Sequence, residues 1–408
     1  MTRKQWFNLH SWAGLQFSLL LCFILVTGTL ATISRDIDWL VNPAMRATEN
    51  VSVNNVNWSG MFYEADRNCN HCQLLKMEVS EDSWFNAETI ALDNAEQRFR
   101  IFHDRASGYV TGTGLWMNVH QFIRQLHRHL MLPKQLGITI VCLMVIPLLI
   151  ALVSSLIFYR HWYRYLFKWP TFSLGKDGKR DPTKLKNRQR RKLWGELHKF
   201  IGSWSIAFMV LIVITGSWYL AEIWGLKADY PREIPKTYHK DHQPTLTANR
   251  LEELLVIARK TFPTLDIYAV KLPTTKYPYL VLEGQAEATL VRNKANQIVL
   301  DIDTGDILSV RHGDELGIHA RISEAADPLH FGNLGGGITR WIWFIFGVML
   351  SGVMITGVYL WANRTLSQLM SDKPSYFNHI WLAMGWMRWP IMGLLTSCLS
   401  LAILNFYP

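Results

Sequence analysis

Cysteine is scarce in this chain, five in 408 residues. A fold of this length stapled by disulfides is thereby excluded. Two of the five stand close together as Cys69-Asn70-His71-Cys72. Cys22, Cys142 and Cys398 are isolated within apolar runs and read as apolar fillers. Acidic residues are few where basic ones crowd: between 160 and 192, twelve Lys or Arg face only Asp177 and Asp181. Charge is missing altogether between Lys4 and Arg35. No Walker loop is present, no GxGxxG followed by an acidic residue, and no Ser/His/Asp signature. Nucleotide-driven and serine-hydrolase chemistry have no foothold here.

What the chain does have is apolar length. It is 49% hydrophobic and 12% aromatic, with 18 Trp, which favour membrane interfaces. The net charge of +10 does not mark a nucleic-acid binder, because the basic residues cluster beside apolar runs, as positive-inside topology requires. The pattern predicts an α-helical membrane protein of about five spans and two pseudo-repeats, with two α+β domains outside the membrane. The first transmembrane helix is expected within 1–34; it lacks a cleavage site and is retained. An outside domain follows at 35–115, then an amphipathic helix and second span at 116–160, kinked at Pro147. The basic inner loop covers 161–192, the third span 193–222 and a second outside domain 223–330. The fourth span covers 331–362, a short inner loop 363–376 and the fifth span 377–408. The basic loop puts the N-terminus inside and both large loops outside.

Within the second outside domain the spacing predicts a helix over Thr247–Phe262, stopped by Pro263. Strands are expected at Ile267–Leu272, Tyr279–Glu283, Ala288–Arg292, Ile298–Ile302 and Ile307–Arg311. In the first, Asp104-Arg105-Ala106-Ser107-Gly108 reads as a hairpin turn.

The repeat is read directly. Arg3-Lys4-Gln5-Trp6-Phe7-Asn8-Leu9-His10, with Gly14 and Thr27-Gly28 beyond, recurs without gaps as Arg191-Lys192-Leu193-Trp194-Gly195-Glu196-Leu197-His198, with Gly202 and Thr215-Gly216. Two homologous halves follow. Each carries one histidine early in its first span and another just before its second: His127 after Leu126, His330 after Leu329. Ionisable residues in a membrane are costly and usually functional. Paired neutral imidazoles between helices point to haem iron as the ligand, one pair at each face, hence two b-type haems. Gly14 and Gly202, one turn beyond His10 and His198, leave room for a flat macrocycle; close helix packing is the alternative. His161, His379, His120 and His319 are secondary candidates, with pairings of His10 to His161 or His198 to His379 left open. Thr27-Gly28, Thr215-Gly216 and Thr356-Gly357, about a membrane thickness or more from the histidines, read as packing sites. Cys69-x-x-Cys72 is not Cys-x-x-Cys-His, so covalent haem attachment is not indicated. A local disulfide is expected, with a metal site through His71 or a redox switch as alternatives. The inner loops are too short for a flavin domain, so a cytoplasmic electron donor must be another molecule.

These residues also carry a resemblance. His10-x-x-x-Gly14, Thr27-Gly28, Ile37-Asp38-x-Leu40-x-x-Pro43, Leu126-His127-Arg128-x-Leu130, His198-x-x-x-Gly202, Thr215-Gly216, Pro328-Leu329-His330-x-Gly332-x-x-Gly335-Gly336 and Thr356-Gly357-x-x-x-Trp361 resemble the PepSY-associated transmembrane, or iron-regulated membrane, family. Residues 244–312 resemble a PepSY domain, and 82–112 a reduced version of it. In the second span, Leu156-Ile157 stand where Thr-Gly is expected. The family includes FoxB-type di-haem ferric-siderophore reductases. The resemblance implies a bacterial inner-membrane electron conduit, fed by a cytoplasmic donor or quinol. It would deliver electrons to a periplasmic acceptor, a ferric siderophore foremost. A PepSY anchor restraining a periplasmic peptidase, and a siderophore permease, are the competing readings. The bilayer is a partner in all three, nucleic acid in none, and a homodimer stays open.

Overall fold

The computed structural model describes residues 1–69, 71–170, 182–230, 234, 244–368 and 374–406. Along the chain run α1 (Arg3–Gln16), α2 (Ser18–Thr32), α3 (Ser34–Val41) and α4 (Trp58–Asn68), then β1 (Gln73–Glu78), β2 (Ala87–Leu92), β3 (Arg98–His103) and β4 (Val110–Leu115). Helices α5 (Val119–His129), α6 (Lys134–Leu143), α7 (Val145–Phe158), α8 (Pro182–Ile223) and α9 (Ala248–Thr261) follow. Next come β5 (Asp266–Lys271), β6 (Tyr279–Gln285), β7 (Asn296–Asp301) and β8 (Ile307–Arg311). The chain ends with α10 (Ile318–Phe331), α11 (Gly336–Leu366), α12 (Tyr376–Ala383) and α13 (Arg388–Phe406). It divides into a helical unit, residues 1–33, 123–225 and 341–408, and a sheet unit, residues 34–122 and 226–340. Part of the expected basic loop, residues 171–181, lies outside the described residues.

Among the described residues, four helical stretches are long and apolar enough to cross a bilayer: Lys134–Phe158, Arg190–Ile223, Gly336–Leu366 and Gly385–Leu404. At about 1.5 Å per residue each covers a ~30 Å hydrocarbon core. A fifth crossing is available only if α1 and α2 together make one span. They are not the single helix expected over 1–34: the chain breaks at Phe17 and bends by 71°. Helix α1 starts with a capping box in which Thr2 and Gln5 bond each other's backbone N–H. It lies along α7, with Phe7 edge-on to Phe158 at 5.4 Å. Arg3 Nε donates to the Phe158 carbonyl at 2.8 Å, closing the last turn of α7, where carbonyls lack helical partners. Pro147 acts as expected. Its ring opposes the carbonyl of residue 143, and the helix is interrupted there, between α6 and α7. The expected span over 377–408 is likewise divided, because Gly385 turns at φ +59° between α12 and α13.

The sheet unit holds one antiparallel sheet in the order β4-β3-β2-β1-β5-β6-β7-β8. It is two helix-plus-four-strand meanders joined where β1 pairs antiparallel with β5. The first meander is therefore not reduced: it has its own helix α4 and strand β1, which lie outside the 82–112 stretch read from sequence. Helices α4 and α9 cover one face. Trp58, Met61 and Phe62 of α4 and Leu251, Leu254 and Leu255 of α9 share a core with alternate strand residues. Six such side chains, each worth roughly 1.5–3 kcal/mol when fully buried, anchor both helices. The Asp104–Gly108 turn joins β3 to β4, with Asp104 Oδ1 accepting from the N–H groups of Ala106 and Ser107. Helix α9 and strands β5 to β8 fall where the pattern places them, but Ala288–Arg292 is not a strand. Leu290 takes φ +54°, and Ala288 and Val291 turn inward onto Leu316 and Ala320. Cys69 and Cys72 are disulfide-linked, with 5.2 Å between their Cα atoms.

Candidate functional site

Inside the helical unit a cavity of about 400 Å³ opens between α1, α7, α8 and α11. His10 and His198 both line it, as do Gly14 and Gly202. The helical period puts them there. Arg191, Gly195, His198, Gly202 and Ile206 follow one another at intervals of three or four residues and form a single stripe on α8. On α11 the stripe is Leu350, Val353, Gly357, Trp361 and Arg364.

Each histidine is held by its Nδ1 atom. His10 Nδ1 is 3.0 Å from the Ala151 carbonyl and 3.3 Å from Ser154 Oγ. Ser154 Oγ itself donates to the carbonyls of Ile150, at 2.5 Å, and Ala151, at 3.2 Å. His198 Nδ1 is 2.8 Å from Thr356 Oγ1, and that hydroxyl donates to the carbonyls of Gly352, at 2.7 Å, and Val353, at 3.1 Å. A carbonyl only accepts, and a hydroxyl has one proton, already given to its own helix. Both Nδ1 atoms must then be donors. In the neutral ring this leaves Nε2 as the bare lone pair of each imidazole, the arrangement of a metal-ligating histidine whose other nitrogen is fixed by a hydrogen bond.

His127, on α5, is held the same way by α2. Its Nδ1 is 3.0 Å from the Ile24 carbonyl and 3.4 Å from Thr27 Oγ1. Thr27 Oγ1 bonds back to Phe23 at 2.8 Å and Ile24 at 3.2 Å. The adjacent glycine is a close approach: a Cβ on Gly28 would stand 2.6 Å from His127 Cε1. A Cβ on Gly357 would likewise come within 3.2 Å of His198 Cε1. The Thr-Gly pairs at 27–28 and 356–357 thus seat histidines of other helices, which corrects their reading as packing sites remote from the chemistry. The second-span counterpart is Ser154-Ser155, not Leu156-Ile157. Sequence reasoning missed it because serine replaces both the threonine and the glycine.

Gly14 and Gly202 behave differently. A Cβ at Gly14 would meet nothing within 4 Å, and one at Gly202 only Val353 Cγ2 at 3.9 Å. These two do not serve close helix packing; they leave space beside the histidines.

The remaining histidines are placed elsewhere. His161 is exposed, 3.3 Å from the Tyr163 hydroxyl. His379 stacks on Trp361 at 5.1 Å and bonds Thr365 Oγ1 at 2.7 Å. Neither is among the described residues lining the cavity. In the sheet unit, His120 Nδ1 is 2.8 Å from Ser34 Oγ, His319 Nε2 donates to the Leu226 carbonyl at 3.0 Å, and half-buried His330 meets Phe331 edge-on at 5.7 Å. Asp38 is buried there, and its two oxygens accept the N–H groups of Val119 and His120, each at 2.9 Å. It caps the start of α5, the helix that carries His127. Burial pushes the Asp38 carboxyl above its usual range, against these two bonds and the nearby Arg100 and Arg35. At the other end of α5, Leu130 and Met131 both take φ +55°, a backbone cost of about 1–3 kcal/mol each that turns the chain into α6.

The PepSY-associated TM region family matches residues 7–364, a range that takes in every residue lining the cavity. The chain belongs to that family. No curated protein matches it. As a PepSY-associated membrane protein it has the lipid bilayer as its solvent over the apolar helices.

Proposed function

We propose that this PepSY-associated protein is a haem-containing inner-membrane reductase. It would pass electrons across the membrane to a periplasmic acceptor, most simply a ferric siderophore, and so release Fe(II) for uptake. The resemblance to FoxB-type reductases supports the reaction class. The observation that carries the reading is the shared cavity of His10 and His198, with both Nε2 atoms left as acceptors and both neighbouring glycines facing space.

The residues present fit a b-type haem. His10 and His198 would hold its iron, and Gly14 and Gly202 would leave room for the ring. When bound, haem supplies a one-electron redox couple within the membrane. The rest is the work of the chain. The Ala151 carbonyl and Thr356 hydroxyl hold the imidazole tautomers. Leu15, Leu148, Leu152 and Met209 keep the cavity apolar. His127 is assigned to a second haem on the same chemistry of a tied Nδ1. Its pairing with His330 rests on the sequence repeat alone.

The test is ferric-chelate reduction by the chain in liposomes loaded with a reductant, with a ferrous-specific chelator outside. Native protein should form the ferrous complex, and His198→Ala should not. Equal rates for the two would contradict the proposal.

A further inference from the structure

Three cations line the cavity: Arg191, Lys199 and Arg364. Arg191 precedes His198 by seven residues on α8. Arg364 follows Gly357, the residue seated against His198, by seven on α11. Seven residues are two helical turns, about 10 Å. The two guanidinium groups therefore approach the same end of the cavity from two helices, at the same remove from the imidazoles. Among the described residues no ion pair joins Arg191, Lys199 or Arg364 to an acid, although Lys192, beside Arg191, pairs with Glu196 at 3.9 Å. Arg364 lies instead over the Phe7 ring at 4.8 Å, and Lys199 over the rings of Tyr159 and Tyr165 at 5.6 and 5.3 Å.

Like charges that converge on the mouth of an apolar cavity repel one another unless an anion joins them. The cavity beyond them is apolar, so the anion must be the polar edge of a largely apolar ligand. Arginine in particular offers a planar fork that matches a carboxylate in bidentate fashion. We infer that Arg191 and Arg364, with Lys199, form a carboxylate clamp. It selects a porphyrin bearing free acid groups and orients those groups toward the Arg191 end. This rests on the haem reading and deepens it: the histidines would fix the centre of the macrocycle, the clamp its rim and its rotation about the iron axis.

The full-length chain, stripped of haem in mild detergent, is titrated with haem b and separately with its dimethyl ester, which lacks the two acid groups. Native protein should bind the free acid more tightly, on the order of tenfold for each charge-assisted hydrogen bond that the ester cannot make. In the Arg191→Gln, Arg364→Gln double variant the two porphyrins should bind alike. Arg364→Lys, which keeps the charge, should recover part of the preference. Equal affinity of native protein for acid and ester would overturn the clamp while leaving the haem reading intact, and it needs no variant to fold. A preference that persists in the double variant would overturn it too. So would an acidic phospholipid that copurifies with native protein and is lost from the double variant with both porphyrin affinities unchanged. A native chain that takes up neither porphyrin would sink the haem reading and the clamp with it.

Discussion

Thr356 shows how much a single hydroxyl can settle. Its proton is committed to the carbonyls of its own helix, so it can only accept from His198, and the tautomer follows. Replacing it with alanine removes the 2.8 Å bond to Nδ1 and frees the ring to turn. Loss of such an outer partner costs roughly 10–100-fold in ligand affinity at metal sites. Thr356→Ala should therefore weaken haem uptake in a Soret titration by at least about tenfold, and Thr356→Ser should restore it. Full affinity in the alanine variant would show that the hydroxyl does not hold the ligand. At this scale the sequence was half legible. The gapless repeat exposed His10 and His198 as equivalent, and Gly14 and Gly202 with them. The threonines were visible but misread, because distance along one helix says nothing about which neighbour a residue faces. Ser154 was not visible at all, since Thr-Gly had become Ser-Ser.

Among the elements, α5 connects local chemistry to the second histidine position. Asp38 caps its first turn with both oxygens, and Leu130 and Met131 end it in strained backbone. Asp38→Ala should cost on the order of 1 kcal/mol from the lost cap alone. The expected result is a lower melting temperature together with a changed low-spin signal from the His127 site, while the His10 and His198 signal stays as in native protein. An unchanged melting curve would remove the cap from the account. Spans and strands were largely readable, because apolar length and alternation are properties of neighbouring residues. The break at Phe17 was not, since neither proline nor glycine stands there. Helix α4 and strand β1 were hidden in a polar stretch, where pairing with β2 and β5 and packing against α9 declare them.

For the whole molecule, two homologous halves appear twice over, as the repeated opening helices and as two meanders sharing one sheet. The sheet's symmetry could not be read from sequence, since the β1–β5 join is a contact between residues about 190 positions apart. Orientation in the membrane rests on the basic run at 160–192. Reporter fusions after residues 180 and 280 should therefore report opposite sides, the first cytoplasmic. The same side for both would refute the topology and with it the proposed direction of electron flow.

The most direct measurement is the reduced-minus-oxidised spectrum of the purified full-length chain with haem counted per polypeptide, for native protein and for His10→Ala, His198→Ala, His127→Ala and His330→Ala. Native protein should carry two low-spin b-type haems. His10→Ala and His198→Ala should lose the same spectral component, and His127→Ala and His330→Ala a different shared one. A colourless native protein, or normal low-spin spectra in His10→Ala and His198→Ala, would contradict the haem reading.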